Sequence, residues 1–127
     1  MAKHNKLGQL GEAAARDYLI SHGFIVRETN WRLGHLEIDI VAQNPDNNCL
    51  HIIEVKTRAS DKDFDPMESI NKAKIRHLVN AANGYIEHYS LMMSVQFDVM
   101  IIVGTPPDNY DIRYYPDVFD PPLRSCR

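Results

Sequence analysis

The chain has 127 residues, enough for one compact domain and too few for a second independent core. With 44% hydrophobic and 24% charged residues it has the composition of a soluble globular protein, and no apolar run reaches the roughly 20 residues of a transmembrane helix. The net charge of −3 argues against a protein that coats nucleic acid by bulk electrostatics. We predict a single domain over residues 1–127, with a core over 5–103 and an edge strand and irregular tail over 104–127.

The N-terminus, MAKHNKLGQLGE, has basic residues but no apolar stretch behind them, so it does not resemble a secretory signal. We expect a cytosolic protein without membrane association, in which Cys49 and Cys126 are ordinary thiols. Residues 1–82 hold 11 acidic and 11 basic residues, whereas residues 83–127 hold 6 and 3. Any site for a polyanion is therefore expected in the first two thirds of the chain.

The first half of the chain predicts one helix and three strands. Apolar residues recur at helical spacing from Leu7 to His22, before Gly23 ends the pattern. The β-prone segments are 24–29, 36–41, which alternates apolar and acidic residues, and 50–56. A short Asn/Pro/Asp-rich connection joins the last two segments, which predicts that they pair as an antiparallel hairpin.

The second half predicts another helix and two more strands. Asp65–Glu68 has the pattern of a capping box, which predicts a helix from there to about His88. Residues 97–103 are nearly all apolar, as in a strand that is buried on both faces after a crossover. Residues 110–115 predict a strand at the edge. The order αβββαβ(β) indicates an α/β fold with a central mixed sheet flanked by helices.

Acidic residues on the predicted hairpin suggest a chemical site. Strand alternation places Glu37 and Asp39 on one face, while Glu54 and Lys56 share a face of the next strand. The other face of the first strand is predicted to carry Leu36, Ile38 and Ile40. Pairing of the strands then brings Asp39 close to Glu54. Glu54 and Lys56 could instead form a solvent-facing ion pair, but they end the apolar run 50–55, which indicates an interior strand.

Two neighbouring carboxylates repel each other, so such a pair calls for a divalent cation, a shared proton or a basic neighbour, and Mg²⁺ is the natural candidate. Mg²⁺ or Mn²⁺ bound by one or two carboxylates and substrate phosphate oxygens is typical of phosphodiester-cleaving sites. Lys56 would then stabilise the charge that develops in the transition state or hold the attacking water. Glu12 lies at the rim of the first helix's apolar arc and can look toward the sheet, although pairing with Arg16 is an alternative.

The order of motifs along the chain resembles the YraN family of bacterial proteins, over roughly residues 5–103. The motifs are Gly11-Glu12-x-x-Ala15, Asn30-Trp31-Arg32, Glu37-Ile38-Asp39, Glu54-Val55-Lys56-Thr57-Arg58, Lys74 and Phe97-Asp98-Val99. That family is similar to the PD-(D/E)XK nuclease superfamily, and within it to archaeal Holliday-junction resolvases. The resemblance implies a restriction-endonuclease-like core that acts on DNA.

Site residues follow from the resemblance position by position. Asp39 matches the metal-binding aspartate of the superfamily, Glu54 and Lys56 its E-x-K pair, and Glu12 the first-helix glutamate of the resolvase-like branch. We expect all four to be catalytic, with Asp39, Glu54 and Glu12 as metal ligands, Glu12 alternatively positioning the attacking water. Resolvases cut two strands, which implies a possible homodimer.

Basic residues near these motifs could follow a phosphate backbone. They are Arg32, Arg58, Lys72, Lys74 and Arg76, although a basic helix face is often only solvated. Trp31 could stack on a base or belong to the core.

The leading hypothesis is a Mg²⁺-dependent endonuclease acting on structured or branched DNA. Its rival is a non-catalytic nucleic-acid-binding or adaptor module on the same fold. A third reading is a scaffold that binds a protein partner through residues 110–123.

Overall fold

The structure, a computed structural model, describes residues 6–60, 62 and 65–120. Its helices are α1 (Lys6–Ser21) and α2 (Lys72–Tyr89). Its strands are β1 (Ile25–Leu33), β2 (Leu36–Asn44), β3 (Cys49–Arg58), β4 (Ser94–Thr105) and β5 (Asn109–Tyr115). The predicted element order is confirmed, and every predicted strand is present with longer bounds than its sequence pattern indicated.

The five strands form one mixed sheet in the order β1-β2-β3-β4-β5. The predicted β2–β3 hairpin is antiparallel, as are β1–β2 and β4–β5, whereas β3 and β4 are parallel because α2 crosses over between them. Strands β3 and β4 are therefore interior, as their apolar sequences predicted, and β5 is an edge strand.

Each helix covers one side of the sheet. Ala15 and Leu19 of α1 pack on a core cluster that includes Ile53 and Met100, while α2 packs on a second cluster that includes Ile52 and Phe97. Gly11 lets α1 approach closely, because a Cβ at this position would collide with the branched side chain of Thr57. The N-terminal half of α1 is thereby held against the end of β3.

Strand β2 departs from the predicted alternation. Leu36 and Ile38 pack with the α2-side cluster, but Ile40 belongs to the α1-side cluster. The three residues were expected on one face of a regular strand, and that expectation is wrong because the strand changes orientation between Ile38 and Ile40. Asp39 lies at this point of change.

Helix α2 begins later than predicted. Asp65 does cap a helix, accepting a hydrogen bond from the Met67 amide at 3.0 Å, but this helix is a 3₁₀ helix that ends at Ser69. The α-helix has its own cap, Asn71, whose side chain accepts from the Lys74 amide at 2.8 Å. The capping-box pattern was therefore correct for a helix start and wrong for the start of α2.

Three further expectations concern single residues and the tail. Trp31 is 7% exposed and belongs to the core, which favours the structural interpretation of this residue. Cys49 is disulfide-bonded, so the expectation of an ordinary thiol is wrong, and Cys126 lies outside the described residues. Residues 116–120 return to β4, where the Val118 amide donates to the Phe97 carbonyl at 2.9 Å. The remainder of the predicted tail, 121–127, also lies outside them.

Candidate functional site

A polar cavity of about 540 Å³ lies where the N-terminal turns of both helices meet the ends of β2 and β3. Its lining residues are Leu7, Gly8, Glu12, Glu37, Asp39, Glu54, Val55, Lys56, Thr57, Arg58, Lys74 and His77. The four residues predicted to be catalytic are all among them. Both helices begin beside the cavity, so the positive ends of both helix dipoles lie near it.

Asp39 reaches the cavity from the position where β2 and β3 separate. The last paired residues of the two strands are Ile40 and Ile53, and Asp39 and Glu54 come next along each strand. One carboxylate oxygen of Asp39 accepts the Val55 amide at 2.8 Å, which replaces the ladder bond that would otherwise continue the sheet. The sheet therefore opens at the residue pair that carries the charges.

The surroundings of Asp39 together raise its pKa from the ordinary value of 3.8 to about 7, and burial is the largest cause. The negative charge of Glu54 also raises the pKa, and that of Glu12 adds to it, whereas the Val55 amide and the Lys74 ammonium lower it. The cavity thus holds a carboxylate whose ionised form is poorly stabilised by the surrounding protein. Carboxylates in this situation are typical of functional sites.

Glu54 is 6% exposed and is neutralised by two lysines. Its Oε2 atom lies 3.1 Å from the Lys74 ammonium and 3.6 Å from that of Lys56. Lys56 shares the strand with Glu54, whereas Lys74 reaches across from the first turn of α2. The predicted E-x-K pair therefore exists in an interior strand, but the closer of the two cations is one that the motif does not contain.

Glu12 faces the cavity from α1 and is partly exposed. The alternative partner considered for it, Arg16, instead binds the neighbouring Asp17 at 3.1 Å. Glu12 also borders a second, smaller cleft of about 180 Å³ that contains Arg16 and Asn30. Its carboxylate is thus placed at the α1 side of the site, as the helical spacing predicted.

The five residues predicted to bind nucleic acid fall into two groups. Arg58 and Lys74 line the cavity, and Arg58 also lies 3.7 Å from the carboxylate of Glu68. Arg32, Lys72 and Arg76 are exposed and do not line it. A surface that follows a phosphate backbone would therefore extend outward from Arg58 and Lys74.

Sequence reasoning did not place His77 at the site and gave Lys74 only a surface role. The spacing of residues along α2 could have indicated the positions of both His77 and Lys74. Lys74 and Leu78 are four residues apart, and Leu78, Ala81 and Tyr85 form the buried face of α2. Lys74 precedes this buried face by one helical turn, so its ammonium lies at the edge of the core and can reach the sheet.

The donor set suits a hard cation that takes few protein ligands. Among the described residues no group of three or more His, Cys, Asp or Glu side chains has metal-binding geometry. Mg²⁺ is commonly bound through one or two carboxylates, with water and phosphate oxygens as its other ligands. Asp39 and Glu54 fit this mode of binding, and the cavity has room for the water and phosphate ligands as well.

A second buried polar cluster lies elsewhere on the sheet, around Asp98. Its carboxylate accepts from Tyr114 at 2.6 Å, from Gln96 at 3.0 Å and from the Asp117 amide at 2.9 Å, and lies 2.7 Å from Nδ1 of His51. Burial and the charge of Asp98 raise the pKa of the Tyr114 hydroxyl, which keeps it protonated as a donor. The sequence analysis assigned no role to this cluster.

The fold and cavity define an α/β protein with a five-stranded mixed sheet and an acidic–basic site at the open end of a hairpin. The model of a family described as "Uncharacterised protein family UPF0102" matches residues 11–102, so the chain belongs to this family. This membership confirms the resemblance to the YraN family. No helix of the described residues is long and apolar enough to cross a membrane.

Two relatives match this chain along nearly their whole length. A UPF0102 protein from Bacteroides thetaiotaomicron is 42% identical over 97% of this chain and 99% of its own. One from Bacteroides fragilis is 45% identical with the same coverage. A solved structure of a protein of unknown function from Silicibacter pomeroyi is 18% identical with a TM-score of 0.39, over 94% of this chain and 79% of that chain. A match at this level carries no argument about function.

Proposed function

We propose that this protein is a divalent-metal-dependent endonuclease that hydrolyses phosphodiester bonds of structured or branched DNA. The observation that carries the proposal is the meeting of Asp39 and Glu54 with two lysines inside one polar cavity. Burying two like charges side by side lowers stability, so a functional role explains the arrangement better than a structural one. The choice of DNA substrate follows the resemblance of the motifs to Holliday-junction resolvases.

Asp39 and Glu54 would hold the cation, Mg²⁺ or Mn²⁺, in this proposal. When bound, such an ion supplies Lewis-acid stabilisation and makes a coordinated water more acidic. Because Glu12 forms no three-carboxylate group with Asp39 and Glu54 among the described residues, we assign it to the attacking water, from which it accepts a hydrogen bond on the α1 side. The water gives a proton to Glu12 as its oxygen forms a bond to phosphorus, and the bond to the leaving oxygen breaks as that oxygen takes a proton from solvent.

Lys56 has a different task, since an ammonium is only a donor and cannot bind a cation while charged. It lies two residues from Glu54 on the same strand, so it is held beside the reacting phosphate. There it donates to the phosphoryl oxygens, whose negative charge increases in the transition state. Arg58 at the border of the cavity contacts a flanking phosphate of the same strand.

The test is cleavage of a panel of branched, flapped and linear DNAs with Mg²⁺ or Mn²⁺. We expect metal-dependent cleavage by the parent protein and none by Asp39→Asn, which keeps the size of the side chain and its acceptor for the Val55 amide. Thermal unfolding provides the second readout, because an ion that binds only the folded state raises its melting temperature. The shift with Mn²⁺ should disappear in Asp39→Asn and Glu54→Gln.

The rival hypothesis, a binding or adaptor module, predicts different results in the same experiments. A parent protein that binds the DNA panel equally well with Mn²⁺ and with EDTA, and cuts none of it, would replace the nuclease with that module. A Mn²⁺-dependent melting shift that persists unchanged in both variants would show that the ion binds elsewhere.

A further inference from the structure

Two ammonium groups are directed at one carboxylate oxygen in the cavity. Lys74 and Lys56 both contact Oε2 of Glu54, at 3.1 Å and 3.6 Å. Like charges repel at such distances, so the surrounding negative charge must be large enough to hold both. Asp39 and Glu12 line the same cavity and supply that charge.

The two lysines differ in how they are attached. Lys56 is two residues from Glu54 on β3, so both side chains leave the same face of one strand and stay neighbours. Lys74 comes from another element, at the first turn of α2, whose position is set by the Asn71 cap on the Lys74 backbone amide. Both side chains are similarly exposed, Lys74 at 30% and Lys56 at 33%, so either ammonium can reach water, but only Lys74 is attached to a different element from Glu54.

We propose that Lys74 is the counterion of the metal-free site, and that its ammonium gives way when a divalent cation binds between Asp39 and Glu54. The inference rests on the proposed function, because it assumes that this carboxylate pair is the metal site. The ammonium supplies positive charge where the cation would otherwise be missing. Once displaced, it remains at the edge of the cavity on the α2 side, where it can donate to a phosphate of the substrate.

The physical consequence is competition for Glu54. An ammonium beside a carboxylate reduces the negative potential there, and a divalent ion is attracted by twice as much as a monovalent one at the same potential. Removing the Lys74 charge should therefore strengthen Mn²⁺ binding, although the lysine stabilises the metal-free protein. A lysine that merely supports the site would have the opposite effect.

The experiment is a Mn²⁺ titration followed by the electron paramagnetic resonance signal of the free ion, at pH 8 without DNA. Lys74→Met keeps the apolar stem and removes the charge. We expect its Kd for Mn²⁺ to fall about fivefold or more below that of the parent. The matched control is Lys72→Met, since Lys72 lies on the same helical turn but is exposed and outside the cavity. Its Kd should stay within about twofold of the parent.

Three variants complete the design. Lys74→Arg keeps the charge and should bind Mn²⁺ as weakly as the parent. Lys74→Gln replaces Lys74→Met if the latter does not fold, as judged by thermal unfolding in EDTA. In a Glu54→Gln background, Lys74→Met should no longer strengthen Mn²⁺ binding, because the shared ligand is gone.

The outcomes separate this inference from the proposed function. If the parent binds Mn²⁺ through Asp39 and Glu54 while Lys74→Met binds it equally or more weakly, the counterion role is overturned and the nuclease proposal stands. If neither protein binds Mn²⁺, both fall together. Tighter binding in Lys74→Met and unchanged binding in Lys72→Met would support both.

Discussion

Glu54 and Asp98 are buried acidic residues of the same sheet, at 6% and 1% exposure, but they lie in opposite kinds of surroundings. They are close neighbours across the parallel β3–β4 ladder, where Asp98 is in register with Ile53 and Glu54 with Val99. Because successive residues of a strand project to opposite faces, the two carboxylates point to opposite sides of the sheet.

The Asp98 carboxylate has hydrogen-bonding partners at both oxygens, two on each. Glu54 shares one oxygen between two ammonium groups and lies beside a second carboxylate, Asp39. A buried charge with a complete set of donors is typical of a structural anchor. One that lies beside a like-charged neighbour in an open cavity is typical of a functional site.

The largest expected effect is on stability, at the anchor. Asp98→Ala leaves several buried donors without acceptors, each costing about 1–3 kcal/mol, so we expect a loss of about 3–5 kcal/mol in the free energy of unfolding. The measurement is denaturant unfolding in EDTA. Mn²⁺ should still raise the melting temperature of folded Asp98→Ala, because Asp98 lies outside the cavity. Loss of that rise from a folded variant would contradict the separation of the two regions.

A smaller effect, about 10²-fold in rate, is expected for Lys56→Ala in the cleavage assay. Mn²⁺ binding should not be lost, since an ammonium does not bind the ion, and DNA affinity should change by less than about threefold. The matched comparison is Asp39→Ala, which should lose metal binding and cleavage together. A structural ion pair with Glu54 predicts the reverse for Lys56→Ala: a lower melting temperature and an unchanged rate.

A third expected effect depends on pH. The pKa of Asp39 is about 3.8 when unfolded and about 7 when folded, so between these values the folded state binds a proton that the unfolded state has lost. This group therefore lowers stability as pH rises from about 4 to 7, and adds no further change above that. Asparagine does not titrate, so the melting temperature of Asp39→Asn relative to the parent should rise over this window and then level off.

The check is a set of thermal unfolding curves from pH 4 to pH 9, in EDTA for both proteins. A difference between Asp39→Asn and the parent that stays constant across the range would mean that the folded protein does not raise this pKa.

The smallest expected effect concerns salt dependence of DNA binding. Arg58 lines the cavity, so Arg58→Gln should make the log–log salt slope shallower by about 0.9, the value for one phosphate contact. Lys72→Gln, outside the cavity, should change the slope by clearly less. Equal slopes for Arg58→Gln and the parent would remove Arg58 from the DNA-binding surface, and the preference for DNA sequence should not change in either variant.

Much of the site could be predicted from local patterns. Strand periodicity placed Asp39, Glu54 and Lys56 near one another once a hairpin was assumed, and helical spacing turned Glu12 toward them. Their common position at one cavity follows from the short β2–β3 connection and from regular spacing in β3 and α1, whereas β2 changes orientation at Asp39. All four line one cavity.

Other features depended on contacts that no local pattern reports. The change of orientation in β2 at Asp39 arises from packing of Ile38 and Ile40 against different helices. The 3₁₀ helix after Asp65 and the separate cap at Asn71 show that one capping pattern does not specify how long a helix continues. His51 and Asp98 are 47 residues apart in sequence and meet only because β3 and β4 pair in parallel.

The element order, the interior position of β3 and β4 and the residue types at the candidate site were predictable, because these follow from periodicity and hydrophobicity along single segments. Which buried acid receives a full set of donors, and which shares lysines, depends instead on how separate elements pack. That outcome depends on strand register and on where α2 begins, which bring Tyr114 and His51 to Asp98 but Lys74 to Glu54. Charges interact through space, so their roles appear only when separate elements are packed together.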